Sequence, residues 1–131
     1  MKKQNFLLRV INKAGLFGIA ALLTTTAMAQ IPLAETQYFA QQGNPNAQHN
    51  LGVHYFDGDG VPQDYRQAAA WFGKAAQQGH AGALYVLADL HEEGLGVNKS
   101  TSIAKDLAKK ACGAGNKSGC DMYNRINATY K

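Results

Sequence analysis

The chain has few of the β-branched residues that β-strands favour. After position 29, Val, Ile and Thr together supply only ten residues, whereas alanine is abundant. This composition disfavours strands and favours helices. We therefore expect an all-α protein.

The chain also lacks an excess of charge where a folded domain would lie. It carries 13 Lys and Arg against 9 Asp and Glu. Four of the basic residues, Lys2, Lys3, Arg9 and Lys13, lie in residues 1–29, which contain no acid. The remainder has as many acids as bases, so it lacks the basic excess typical of nucleic-acid binding, and we expect no nucleic-acid partner.

The apolar stretch within residues 1–29 is too short for a membrane anchor, but the segment matches an export signal. A basic start precedes a mostly apolar stretch of about 15 residues, whereas a spanning helix needs about 20. Ala27 and Ala29 place small residues where signal peptidase accepts them. We predict a signal peptide cleaved between Ala29 and Gln30, and a domain of residues 30–131 in the periplasm or outside the cell. The residue directly after the cut is Gln30 rather than a cysteine, so we expect no lipid anchor. Because the apolar stretch is short and is removed, we also expect no stable membrane anchor.

No convincing catalytic arrangement is present. Ser102 and Lys105 match the Ser-x-x-Lys motif of penicillin-recognising enzymes, but no Lys-Thr-Gly or Ser-Asp-Asn follows. The histidines do not form a ligand pattern; they are His49, His54, His80 and His91. We expect no catalytic residues, no metal and no cofactor.

The segment Asp57-Gly58-Asp59-Gly60 has two of the acids that begin a calcium loop. Val61 and Ala68 stand where a calcium loop needs further oxygen ligands. The repeat described next gives this segment a structural explanation, as a turn.

The chain aligns with itself at a shift of 36 residues without a gap. The matched pairs include Ala47 and Ala83, Leu51 and Leu87, Gly58 and Gly94, Gly60 and Gly96, and Gly79 and Gly115. Such a period is the signature of stacked repeats. We predict units at about 44–79 and 80–115, with half-unit caps at 32–43 and 116–131.

Each unit is predicted to form two helices. The six predicted helices span about 33–42, 45–57, 65–78, 81–93, 101–114 and 117–129. Asp64, with Gln67 three residues later, has the pattern of a capping box, and Ser100 is its counterpart in the next unit. Gly79 and Gly115 are expected to end the second helix of each unit.

The first unit closely resembles the Sel-one-like repeat family, relatives of the tetratricopeptide repeats. The matching residues are Ala47, Leu51, Gly52, Tyr55, Gly58, Gly60, Val61, Asp64, Ala68, Trp71, Phe72, Lys74, Ala75, Ala76 and Gly79. The resemblance implies a right-handed superhelix of antiparallel helix pairs, here about two and a half repeats. It also implies an adaptor or scaffold whose concave face binds a polypeptide.

Cys112 and Cys120 resemble a cysteine pair of the secreted, cysteine-rich branch of this family. In that branch a Cys ending one helix bonds a Cys at the start of the next, which implies a Cys112–Cys120 disulfide here. From the residues alone, two free thiols or a metal site are the alternatives.

The concave face predicted by the resemblance is lined by the first helix of each pair. Equivalent positions give three rows: His49, Tyr85 and Asp121; Val53, Asp89 and Arg125; Phe56 and Glu92. These rows form an aromatic and acidic strip suited to a polypeptide with apolar and basic side chains. The alternative is that several of these residues pack between units.

The charges of the predicted domain are segregated along its length. Residues 30–98 hold two bases against seven acids, and residues 99–131 hold seven bases against two acids. Such a distribution would steer a charged partner, although solvated helix faces also explain it. We predict an exported, non-enzymatic interaction module, an envelope adaptor or scaffold. The alternatives are a periplasmic immunity protein against a secreted toxin and a β-lactamase-like hydrolase; the oligomeric state is left open.

Overall fold

A computed structural model describes residues 32–130 of the chain. The predicted signal peptide, with its cleavage between Ala29 and Gln30, lies outside these residues. The described part contains six α-helices and no strand. The helices are α1 (Leu33–Gln41), α2 (Pro45–Asp57), α3 (Tyr65–Gln77), α4 (Ala81–Glu93), α5 (Thr101–Gly113) and α6 (Lys117–Thr129). The predicted all-α repeat architecture is confirmed.

Side-chain acceptors at the helix starts explain where most of the helices begin. Asn44, Asp64, Ser100 and Asn116 each accept a hydrogen bond from a backbone N–H in the first turn. These bonds satisfy donors that have no partner within the helix. The capping box predicted at Asp64 is wrong in one half, because the Asp64 N–H donates to the Tyr55 carbonyl at 2.8 Å.

The second helix of each unit ends one residue earlier than predicted. Gln78 and Ala114 are the caps, and Gly79 and Gly115 follow them with φ angles of 79° and 93°. A positive φ costs glycine little because it has no Cβ. The glycines therefore reverse the chain just beyond the helices rather than at their last turn.

Helices adjacent in sequence pack side by side, and α4 also touches α6. The core is a series of three clusters along the solenoid. The first joins α1 and α2 around Ala40, Ala47 and Leu51; the second surrounds Phe72 and Leu90; the third surrounds Ala108, Met122 and Ile126. Many of the buried side chains are alanine, so helices can approach closely.

The loop between α4 and α5 packs directly on the start of α3. A Cβ on Gly96 would overlap the backbone carbonyl of Tyr65. Glycine at this position therefore lets the turn of one unit rest on the preceding unit. A Cβ on its counterpart Gly60 would lie 3.0 Å from the Leu33 side chain rather than against backbone.

Candidate partner-binding face

The eight predicted partner-binding residues lie on the first helices of the units, α2, α4 and α6. None of them is fully buried: Val53, Asp121 and Arg125 are exposed, and the others are half-buried. We call these eight positions the first-helix face. Their surroundings differ from one position to the next.

Glu92 and Arg125 form an ion pair between α4 and α6. The Arg125 guanidinium donates hydrogen bonds of 2.7 Å to each carboxylate oxygen of Glu92. The hydrogen bond from Arg125 lowers the pKa of Glu92, and the pKa of Arg125 is raised in turn. The two residues satisfy each other, so neither offers a free charge to a partner in this arrangement.

Asp89 is a half-buried acid of this face that forms no ion pair with the described residues. Burial, followed by the charges of Glu93 and Glu92, raises the pKa of Asp89, while the charge of Arg125 lowers it. A carboxylate held among other carboxylates favours the approach of a cation. The electrostatics of α4 therefore favour a basic group at Asp89.

His49 is engaged in packing between units. Its ring stacks on that of His80 with centroids 4.7 Å apart and meets Phe72 edge-on at 5.5 Å. His80 caps α4, because its Nδ1 accepts the Ala83 N–H at 3.0 Å. Burial and then the neighbouring His49 lower the pKa of His80 below its usual 6.5, opposed by a backbone hydrogen bond.

The other aromatic residues of the face also contact the core. Phe56 packs against Tyr65 with ring centroids 5.2 Å apart, and it borders the cluster around Phe72. Tyr85 borders the cluster between α4, α5 and α6. These aromatic rings therefore combine a packing role with partial exposure, and Val53 and Asp121 are the freer positions.

Sequence reasoning missed the capping role of His80 and the contribution of Glu93 to the charge around Asp89. The repeat contains the signal for the first: His80 aligns with Asn44 and Asn116, which cap α2 and α6. A histidine can replace asparagine at this cap position, because an unprotonated ring nitrogen accepts the same backbone hydrogen bond.

The cysteines lie at the opposite end of the solenoid from α1. Cys112 at the end of α5 and Cys120 in α6 form a disulfide, with Cα atoms 4.4 Å apart. The bridge ties α6, the last of the described helices, to α5 before it. Within residues 32–130, no group of three or more His, Cys, Asp or Glu side chains could hold a metal ion.

The motifs that resemble catalytic or calcium sites lie in ordinary structural positions. Ser102 is exposed in the first turn of α5, and the Lys105 ammonium lies 6.0 Å from the Tyr123 ring centre. Asp57 ends α2, and Gly58 and Gly60 have positive φ, as their counterparts Gly94 and Gly96 do. In the described part of the chain, no helix is long and apolar enough to cross a bilayer.

Comparison with protein families matches the Sel1 repeat at residues 45–80 and 81–116. Mouse protein sel-1 homolog 2 is 37% identical over 100 residues, which cover 76% of this chain and 13% of that protein. The secretory immunoglobulin A-binding protein EsiB of Escherichia coli is 36% identical over 60 residues, 46% of this chain and 12% of EsiB. The chain thus spans about an eighth of the length of these relatives.

Solved structures give the same result. The Sel1 repeat protein from Oxalobacter formigenes superposes with a TM-score of 0.69 at 33% identity, covering 70% of this chain and 69% of that one. The uropathogenic E. coli protective antigen c5321 superposes with a TM-score of 0.72 at 30% identity, covering 76% and 21%. Helicobacter pylori cysteine-rich protein B shares the fold, with a TM-score of 0.67 at 23% identity over 86% and 93%.

Proposed function

Because this chain belongs to the Sel1 repeat family, which generally mediates protein–protein interactions, we propose that it is an exported adaptor. In this proposal its first-helix face binds a polypeptide that carries basic and apolar side chains. The partner would lie along α2, α4 and α6, as polypeptides do on related helical solenoids.

The observation that carries this proposal is the charge environment of Asp89. Asp89 lies near Glu92 and Glu93, and burial together with these charges raises its pKa. The nearby cation, Arg125, is already bound by both oxygens of Glu92. A lysine or arginine of a partner would relieve the repulsion at Asp89, and the exposed Val53 offers apolar contact on the same face.

A non-enzymatic role fits these features better than a hydrolase. Ser102 has no general base arranged beside it by the described contacts, and Lys105 approaches Tyr123 instead. Sel1 repeats are typically scaffolds, and the protein interaction of EsiB is stated in its name. These points support a binding protein.

Export is supported by two kinds of observation. The Cys112–Cys120 disulfide suits an oxidising compartment. The E. coli relatives include a protein that binds secretory immunoglobulin A and a protective antigen. Both observations support a location in the periplasm or outside the cell.

Site-specific photocrosslinking in the native host tests the proposal. A crosslinker at Val53 or Asp121 should capture a discrete polypeptide that mass spectrometry can identify. Asp89→Lys should reduce its capture and weaken binding of the purified partner by about tenfold, because a close attraction becomes a repulsion.

Asp106→Lys provides the matched control. Asp106 is an exposed acid on α5, away from the first-helix face, so this variant makes the same change of charge elsewhere. Equal losses in the Asp89 and Asp106 variants, or no capture from either crosslinker position, would contradict binding on this face. An unprocessed chain recovered from the cytoplasm would contradict export.

A further inference from the structure

The second helices of the two units, α3 and α5, flank an open groove. Its floor is formed by Leu84 and Leu87 of α4, and its volume is about 570 Å³. We call it the second-helix groove. Its walls also include Gly73, Ala76, Gln77, Gly79, Leu107, Lys110, Gly113 and Ala114.

The repeat supplies an internal comparison, because the same junction occurs once before, between α1 and α3. There the Gln78 side chain reaches across the junction. Its side-chain amide donates to the Gly43 carbonyl at 2.9 Å and to the Gln48 side chain at 2.8 Å. The Gln48 amide in turn donates to the Ala40 carbonyl at 3.2 Å. A polar network therefore closes the first junction.

The second junction has lost this network. Counting 36 residues onward, Leu84 replaces Gln48 and Ala114 replaces Gln78. The Gly79 carbonyl is the counterpart of the Gly43 carbonyl. Within residues 32–130 no hydrogen bond is donated to it. The second junction repeats the backbone of the first. Its side chains Leu84 and Ala114, however, cannot form the hydrogen bonds that Gln48 and Gln78 form.

A lysine at the groove is also left without its partner. In the first junction the Lys74 ammonium lies 3.9 Å above the centre of the Trp71 ring. Lys110 is the counterpart of Lys74, but Leu107 stands where the tryptophan would be. Lys110 is exposed and forms no ion pair with the described residues. The groove therefore combines an apolar floor with a free cation.

The glycine in the wall of α3 is not explained by packing against the described residues. A Cβ on Gly73 would meet nothing within 4 Å, and the same is true of Gly113 at the end of α5. Glycine within a helix costs about 1 kcal/mol relative to alanine. Its presence at Gly73 is consistent with close approach of a second molecule to the helix backbone.

We propose that the second-helix groove docks a polypeptide segment in which an apolar side chain lies next to a carboxylate. The apolar side chain would pack on Leu84 and Leu87, at the position equivalent to that of the Gln78 side chain in the first junction. A backbone N–H of the segment would donate to the Gly79 carbonyl, as the Gln78 amide does to Gly43. The carboxylate would pair with Lys110, in a region where residues 99–131 carry seven bases against two acids.

This site is independent of the first-helix face and has the opposite charge preference. A partner bound there would leave Asp89 free for a basic segment. The proposal thus gives the adaptor two docking surfaces for two chemically different partners.

Nuclear magnetic resonance titration of the isotope-labelled, oxidised protein tests the groove. The probes are the blocked peptides acetyl-Ala-Leu-Glu-Ala-amide and acetyl-Ala-Leu-Lys-Ala-amide. The acidic peptide should shift the amide signals of Gly73, Gly79 and Gly113. The lysine peptide should bind about fivefold more weakly, because it meets Lys110 with a like charge.

Two variants sharpen the test. Leu107→Trp with Ala114→Gln restores two of the three differing residues of the first junction, leaving Leu84 in place, and should abolish these shifts. Lys110→Glu should reverse the preference between the two peptides. Lys74→Glu, the matched change in the first junction, should leave the titration as in the wild type.

Three outcomes would contradict docking in the second-helix groove. It is overturned if neither peptide shifts these signals up to its solubility limit, or if the filled variant binds as well as the wild type. Shifts confined to the signals around Asp89 also overturn it, while leaving the first-helix face intact. Unchanged thermal unfolding of the filled variant establishes that the loss of binding is not a loss of fold.

Discussion

The Arg125 guanidinium of the last helix binds both carboxylate oxygens of Glu92, at 2.7 Å each, and so joins α6 to the first helix of the preceding unit. Both residues were predicted to bind a partner. Equivalent positions on the first-helix face therefore differ in their chemistry. Glu92 forms an ion pair with the neighbouring repeat, so its charge is not available to a partner. Asp89, one helical turn before Glu92, keeps its charge available.

Arg125→Ala should lower the free energy of unfolding by no more than about 1 kcal/mol, because exposed ion pairs contribute little. The difference from the wild type should shrink at about 1 M NaCl, where the charges are screened. Urea unfolding at low and high salt measures both effects. A difference that does not change with salt would indicate that the arginine acts by packing.

Gly52→Ala should destabilise the protein by about 1–3 kcal/mol through overpacking. A Cβ at this position would lie 2.8 Å from two carbons of the buried Phe72 ring. Gly73→Ala is the control, since a Cβ there meets nothing within 4 Å. It should stabilise the protein by about 0.5–1 kcal/mol through helix propensity. Chemical denaturation of both variants distinguishes the clash from a general effect of replacing helical glycine.

Replacing Cys112 and Cys120 by serine should cost about 2–3 kcal/mol, because the bridge closes a short loop and restricts the unfolded chain. Hydrogen exchange should show the largest loss of protection in α6, the helix that the bridge holds. The wild type treated with a reductant should match the double variant in denaturant unfolding. Loss of protection spread evenly over all six helices would contradict a local role.

Stability should fall as the pH is lowered from about 7 to 5. The pKa of His80 is lowered in the folded protein by burial and by His49. The unfolded chain therefore binds more protons below the ordinary pKa of 6.5, and the stabilisation present above that pH is lost as the pH falls. Protonation also removes the Nδ1 acceptor that caps α4.

His80→Asn should reduce this pH dependence while preserving the cap, because Asn44 and Asn116 cap α2 and α6 at the equivalent position. Thermal unfolding of wild type and variant at pH 7.5 and at pH 5, above and below the ordinary histidine pKa of 6.5, makes the comparison. An equal drop in melting temperature for the two proteins would assign the pH dependence to other groups.

The helices could be placed from the sequence because their signals are local. The 36-residue self-alignment located each helix, and caps such as Asp64 and Ser100 set where helices begin. The predicted hydrogen bond from the Asp64 N–H to the Gln67 side chain is absent, because this N–H has a partner outside the local segment. The Asp64 N–H is taken by the Tyr55 carbonyl of the previous helix, and no pattern around Asp64 contains that contact.

The candidate site was less predictable. The repeat assigned the eight positions to α2, α4 and α6, but it gave no reason why Glu92 should bind Arg125 while His49 packs on His80. Those outcomes depend on distances between units. The second-helix groove could not be predicted from the sequence either. The replacement of Gln48 and Gln78 by Leu84 and Ala114 has a meaning only because the two glutamines form a hydrogen bond in the first junction.

By itself, the sequence determined the all-α repeat, the number and order of its helices, and the glycines that turn the chain. Each depends on propensity and spacing along one segment. Only the tertiary structure decided which charges are paired, which histidine rings stack and which junction carries a polar network. These features arise between residues some 30 positions apart, such as Glu92 and Arg125 or Gln48 and Gln78. Repeats that share one backbone geometry are thus distinguished by the side chains that meet across their junctions.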